Sequence, residues 1–209
     1  MNISKILNVL LAIALVALIV KTVFFPSHGT AENSNGEQAA MHNILSRTSI
    51  RSYIDKDVEP EKAEQLLRAA MAAPSAGNKQ PWKFIVIRDK EILGKLSSRI
   101  KTMKMVETAP FAIVVCGDID NTFPGDGRDY WVEDASAASE NILLAANALG
   151  LGAVWCGVYP MTERVAFIKE VLDLPENIVP LNVIPVGYPS GSKAPMEKWK
   201  PENIHYDTW

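Results

Sequence analysis

Two prolines, Pro74 and Pro81, bracket a polar stretch that neither a helix nor a strand can run through. Proline fixes its own φ, lacks an N–H and pushes the preceding residue toward extended geometry. A helical run precedes the stretch and the apolar Phe84-Ile85-Val86-Ile87 follows it, so a helix-to-strand connection is predicted. By the proline rule Gln80 should be extended, and Gly77 permits a left-handed or closely approached backbone. Ser75, Asn78 and Gln80 set hydroxyl and amide groups on this stiff frame, and Trp82 adds a large flat face. Such groups suit a planar, polar-edged ligand held without covalent chemistry. They equally suit a loop that caps its own backbone.

The flanking chain supplies the layers. Pro60–Ala73 has proline at a helix start and an apolar face of Ala63, Leu66, Leu67, Ala70 and Met71. Phe111–Cys116 is a short continuous apolar run, as expected of a central strand. Tyr130–Leu149 predicts a long helix with a small-residue face, ended by Gly150. Ala153–Gly157 and Asn182–Val186 then read as two further strands. Upstream, Arg47, Ser49 and Arg51 alternate. On an extended segment they point the same way and form a phosphate-sized cluster, or else a solvated charged face.

The chain has 209 residues and a net charge of −3, a poor balance for general nucleic-acid binding. Residues 37–209 suit one domain. Residues 1–36 differ: Ile6–Val20 is apolar except for Asn8, with Lys5 and Lys21 on either side. This reads as a cleaved signal or a membrane anchor, with Ser27–Gly36 as a flexible tether, so the domain is expected to be exported or membrane-anchored. Cys116 and Cys156 read as small buried thiols without metal-ligand spacing. There is no Walker motif, no Gly-x-Gly-x-x-Gly fingerprint and no nucleophile elbow.

Four segments, in this order, resemble the FMN-dependent nitroreductase family. They are Arg47-Thr48-Ser49-Ile50-Arg51, Pro74–Trp82, Leu149–Gly157 and Lys198-Trp199-Lys200-Pro201. The resemblance implies an α+β fold with a mixed central sheet surrounded by helices, and a C-terminal tail wrapping a dimer partner. It implies bound FMN, with its phosphate and ribityl chain held by Arg47, Ser49 and the tail residues Lys198 and Lys200. Thr48 is a further candidate, and Arg51 would reach the pyrimidine edge. Backbone at Trp155, Cys156 and Gly157 would face the redox-active edge. Pro74, Ser75 and Asn78 would reach the flavin held by the other chain of a homodimer. The implied activity is hydride transfer from NAD(P)H through FMN to a nitroaromatic, quinone or similar acceptor in ping-pong order, with no catalytic side chain. Two alternatives stay open: a specialised branch (reductive dehalogenase or flavin-cleaving enzyme), and a non-catalytic flavin-binding protein at the membrane.

Overall fold

The computed structural model describes residues 30–209. The apolar run expected as a signal or anchor lies outside them. Among the described residues no helix is long and apolar enough to cross a membrane. The chain forms two compact units that part between His42 and Asn43, and apart from helix α1 all that follows concerns the second, Asn43–Trp209. Helix α1 spans Thr30–Ser46, so the stretch expected as a flexible tether is helical from Thr30 onward. Glu32, Glu37, Gln38 and the pair Ala39-Ala40 are good helix formers and outweigh Asn33, Asn35 and Gly36.

Among the described residues, eleven α-helices and strands build the fold. After α1 come α2 (Pro60–Met71), β1 (Trp82–Ile87), α3 (Lys90–Ser98), α4 (Met105–Thr108) and β2 (Phe111–Asp118). The long α5 (Tyr130–Ala148) leads to β3 (Gly152–Ala153), β4 (Cys156–Gly157), α6 (Thr162–Leu172) and β5 (Ile178–Gly187). The sheet order is β1-β2-β5-β3, and β4 also pairs with β5. Successive side chains of β2 alternate between two covered faces. Phe111, Ile113 and Val115 join a cluster with α2 and α5, which supply Leu66, Ala70, Ala135, Ala138 and Ile142. Ala112, Val114 and Cys116 join a second cluster with α3 and α6, which supply Leu93, Leu96, Phe167 and Ile168. A strand covered on both faces must be apolar throughout, which explains the continuous run in β2.

All the strand ladders are antiparallel, where the resemblance implied a mixed sheet. The connections explain this. Ile87 ends β1 opposite Ala112 at the start of β2, and Asp118 ends β2 opposite Ile178 at the start of β5. Each helical excursion returns to the end of the sheet it left, so the next strand must run the other way.

The strand expected at Ala153–Gly157 is broken into β3 and β4. The register does not slip: Ala153 faces Val186 and Cys156 faces Val183. Val154 therefore stands opposite Pro185, which has no N–H to donate, and the ladder lapses there. The break leaves β4 as a short strand end rather than the tail of a long ladder.

Beyond Gly187 the chain leaves the sheet. Residues 191–209 are exposed throughout, with one tight turn at Pro201–Asn203. Trp199 is 71% exposed and Trp209 is 99% exposed. The tail thus does not wrap its own domain.

Candidate cofactor site

The Arg47–Arg51 segment is laid along the sheet by backbone. The Ile50 N–H donates to the Ala153 carbonyl at 3.1 Å. Gly152 makes the close approach possible, since a Cβ there would stand 2.5 Å from Ile50 Cγ2. The Tyr53 hydroxyl lies 3.0 Å from the Ile50 carbonyl and 3.2 Å from the Pro185 carbonyl, and donates from beneath. Burial pushes the Tyr53 phenol above its usual range, Cys156 adds to this and Arg51 opposes it, so Tyr53 serves as a neutral prop. On this support Arg47, Thr48 and Ser49 are half-buried and Arg51 is exposed. Arg47 meets Glu140 of α5 at 3.3 Å through Nε, leaving the other edge of its guanidinium outside that contact.

At the end of this segment Arg51 lies close enough to β4 to act on Cys156. Gly157 is half-buried, and chain neighbours aside, a Cβ there would meet only Trp155 Nε1, at 3.8 Å. The side of Gly157 where a side chain would project is therefore open to a flat ligand. Arg164 Nη1 donates to the Gly157 carbonyl at 2.8 Å. Both Arg51 and Arg164 act on Cys156. Burial pushes this thiol up to about 11, while the two guanidiniums pull it down. Its S–H points toward the Thr102 carbonyl at 3.9 Å and Met105 Sδ at 3.7 Å. Cys116 is pushed up to about 12 by burial, with Lys169 pulling against it. Both cysteines are free. Cys116 on β2 and Cys156 on β4 lie on opposite sides of β5. Two interstrand spacings of about 4.8 Å separate their strands, and their partners Pro180 and Val183 are offset along β5, so the two lie well beyond the ~7 Å Cα limit for a disulfide.

The Pro74 loop is built differently. Gly77, Asn78 and Gln80 all have positive φ, at 54°, 55° and 50°. Gln80 is thus not extended as the proline rule predicts. Its N–H is drawn onto Ser75 Oγ at 3.0 Å, and its side-chain amide donates to Asn78 Oδ1 at 2.8 Å. Asn and Gln in this region carry a local cost of roughly 1–2 kcal/mol each, which these bonds offset. The Ala76 N–H donates to the buried Asp134 carboxylate of α5 at 2.8 Å. A Cβ on Gly77 would stand 2.7 Å from the Phe123 ring, so that side of the loop is closed.

The structure carries Arg47, Thr48, Ser49 and Arg51 on one segment tied to β3, and Arg51 acts on Cys156, which neighbours Trp155 and Gly157 in the chain. It sets Pro74, Ser75 and Asn78 elsewhere around α5. Asp134 and Glu140 are six residues apart, about 240° around a helix, so the loop and the Arg47 segment touch different faces. Lys198 and Lys200 lie exposed on the tail. Four supporting residues escaped the sequence reading: Tyr53, Asp134, Phe123 and Arg164. Tyr53, Asp134 and Phe123 act through partners distant in sequence and Arg164 through a carbonyl seven residues back, and only the acidic Asp134 and the cationic Arg164 stood out by charge. A further polar link, Asn182 Nδ2 to Ser139 Oγ at 2.8 Å, ties β5 to α5 opposite Gly157 in the ladder.

The fold is thus three-layered, with the Arg47–Arg51 segment tied to β3 and an unobstructed Gly157 on β4. The chain belongs to the Nitroreductase family, whose sequence model matches residues 44–104 and 97–188. It is 48% identical over 170 residues to an Archaeoglobus fulgidus protein provisionally named NADH dehydrogenase/NAD(P)H nitroreductase, covering 79% of this chain and 96% of the relative. A Bacillus subtilis protein named FMN reductase [NAD(P)H] is 28% identical, covering 80% of this chain and 73% of its own length. Among solved structures, an FMN-dependent nitroreductase from Clostridium difficile superposes with a TM-score of 0.74 at 32% identity, covering 81% of this chain and 99% of that one.

Proposed function

We propose that this chain passes reducing equivalents from NADH or NADPH, through bound FMN, to a quinone, a nitroaromatic or a similar planar acceptor. At the coarser level, it is an FMN-dependent NAD(P)H oxidoreductase. The observation that supports this best is the open Gly157 backbone flanked by Arg51 and Arg164. The residues present fit the cofactor. Guanidiniums and hydroxyls at Arg47, Thr48, Ser49 and Arg51 suit a phosphorylated ribityl chain and a polar ring edge, and an unobstructed glycine suits a flat ring. When bound, FMN supplies two-electron chemistry, taking a hydride from the nicotinamide and giving it to the acceptor in separate visits to one site, the ping-pong order.

The protein's part is to hold and to polarise. Arg47 and Ser49 would carry the phosphate end, with Lys198 and Lys200 added from the tail. Arg51 would set a positive charge at the pyrimidine edge, where reduction builds negative charge. The backbone of Trp155, Cys156 and Gly157 would border the reacting edge. The buried thiol of Cys156 stays protonated at neutral pH and takes no part as a nucleophile.

The reading includes a homodimer. Pro74, Ser75 and Asn78 lie away from this chain's own Arg47 segment, and a second copy would bring such a loop to the site. The exposed tail, with Trp199 and Trp209, would cover the partner. The domain itself is exported or membrane-anchored through residues 6–25, a placement that a fusion reporter after Trp209 tests directly.

An anaerobic NADH titration of the purified protein supplied with FMN, followed by visible absorption, tests the activity. The expected result is bound flavin that bleaches and recovers on adding a quinone or nitroaromatic. Bound flavin that stays oxidised with both nicotinamides points to the non-catalytic alternative, and failure to bind FMN removes the reading altogether.

A further inference from the structure

A cavity of about 720 Å³ opens between the Arg99–Thr102 turn and the N-terminal half of α6. Its walls carry three cations, Arg99, Lys101 and Arg164, and a single carboxylate, Glu163. In a chain of net charge −3, this is a local reversal of sign. Arg164 is the fixed member, half-buried and tied to the Gly157 carbonyl at 2.8 Å. Arg99 lies over the Phe167 ring at 4.9 Å. It also meets Glu170 at 3.5 Å, an exposed pair too weak to neutralise it. Lys101 is exposed. Ile100, Met161 and Phe167 give the same cavity apolar walls. Through Arg164 and Thr102, which reach Gly157 and Cys156 respectively, the cavity adjoins the strand end described above.

Resting on the oxidoreductase reading, we propose that this cavity is the specificity end of the substrate site, and that it selects ring compounds carrying an anionic group. The apolar walls take the ring or chain, and Arg99 and Lys101, backed by Arg164, take the charge. Two sources share this chemistry: the phosphates of the nicotinamide donor, and a carboxylate or sulfonate on the acceptor. Glu163 sets the limit on how much negative charge is accepted. The guanidinium of Arg164 is committed on one side to Gly157, so occupancy of the cavity by an anion also touches the residue that holds the reacting edge.

The test compares two quinones of one ring system, neutral 2-methyl-1,4-naphthoquinone and anionic 1,4-naphthoquinone-2-sulfonate, alongside NADH and NADPH. Affinity by equilibrium dialysis and KM are read for the native protein, the double variant Arg99→Gln/Lys101→Gln, and Glu163→Gln. In the double variant, sulfonate affinity or nicotinamide KM weakens by roughly three- to tenfold, while the neutral quinone is unchanged. In Glu163→Gln the same ligand tightens. A change confined to the nicotinamides assigns the cavity to the donor, and one confined to the sulfonate assigns it to the acceptor. Equal changes for neutral and anionic ligands, or no change for any, overturn the proposal. Dialysis needs no turnover, so a preference for the sulfonate without any reductase activity would remove the oxidoreductase reading and leave the anion site standing.

Discussion

Arg47–Arg51 and Pro74–Gln80 both pack around α5, yet they are held by opposite means. The arginine segment has little structure of its own and is fixed from outside, by Ala153, Gly152 and Tyr53. The proline loop is fixed from within, by three left-handed residues and the Ser75–Gln80 and Asn78–Gln80 bonds, and touches α5 through Asp134. A segment held from outside follows any shift of the sheet. A segment held from within keeps its shape wherever it is carried. That division suits a site in which one chain supplies a bed and another supplies a rigid cover.

Arg51→Gln removes charge from the bed without disturbing the cover. FMN affinity is expected to fall by roughly 2–3 kcal/mol, about 30- to 150-fold, in a fluorescence titration, with the melting temperature little changed. Gly152→Ala breaks the outside support. The new Cβ would collide with Ile50, costing on the order of 2 kcal/mol in denaturant unfolding and weakening FMN binding as well. If it costs stability and leaves FMN affinity intact, the bed does not depend on the sheet.

The two thiols sharpen the comparison by pH. Folding raises both, so the folded state retains protons that the unfolded chain releases. The stabilisation is complete below the ordinary thiol value near 9 and is lost as pH climbs toward about 11 for Cys156 and about 12 for Cys116. Stability should fall by on the order of 2 kcal/mol between pH 8 and 10, and less in Cys116→Ala/Cys156→Ala. Asp134→Asn weakens the anchor that ties the loop to α5. A loss of about 1 kcal/mol is expected by thermal unfolding and, on the proposed homodimer reading, weaker self-association by sedimentation. Glu140→Gln, which releases one edge of Arg47, should change stability by at most about 0.5 kcal/mol and raise FMN affinity slightly.

The layers were legible because their cause is local: the continuous apolar β2, the proline start of α2 and the small-residue face of α5 each announce burial directly. For the arginine segment the sequence offered residue types and their alternation, while its fixing by Ala153, Gly152 and Tyr53 could be seen only in the fold. Three things were hidden. The lapse at Val154–Trp155 depends on Pro185, some thirty positions away and opposite only once the sheet is paired. The φ of Gln80 was misjudged because a local proline rule was overridden by a hydroxyl five residues upstream. Arg164 showed only its charge, because its meaning lies in the carbonyl it holds.

The placement of the two cysteines has a consequence for where such a domain can work. Both sulfurs are buried, neither is ionised at neutral pH, and β5 keeps them apart. The fold therefore neither gains a crosslink in an oxidising compartment nor loses one in a reducing cytosol. Its stability is uncoupled from the thiol–disulfide poise of its surroundings, so the same domain can be delivered to either side of a membrane without being redesigned.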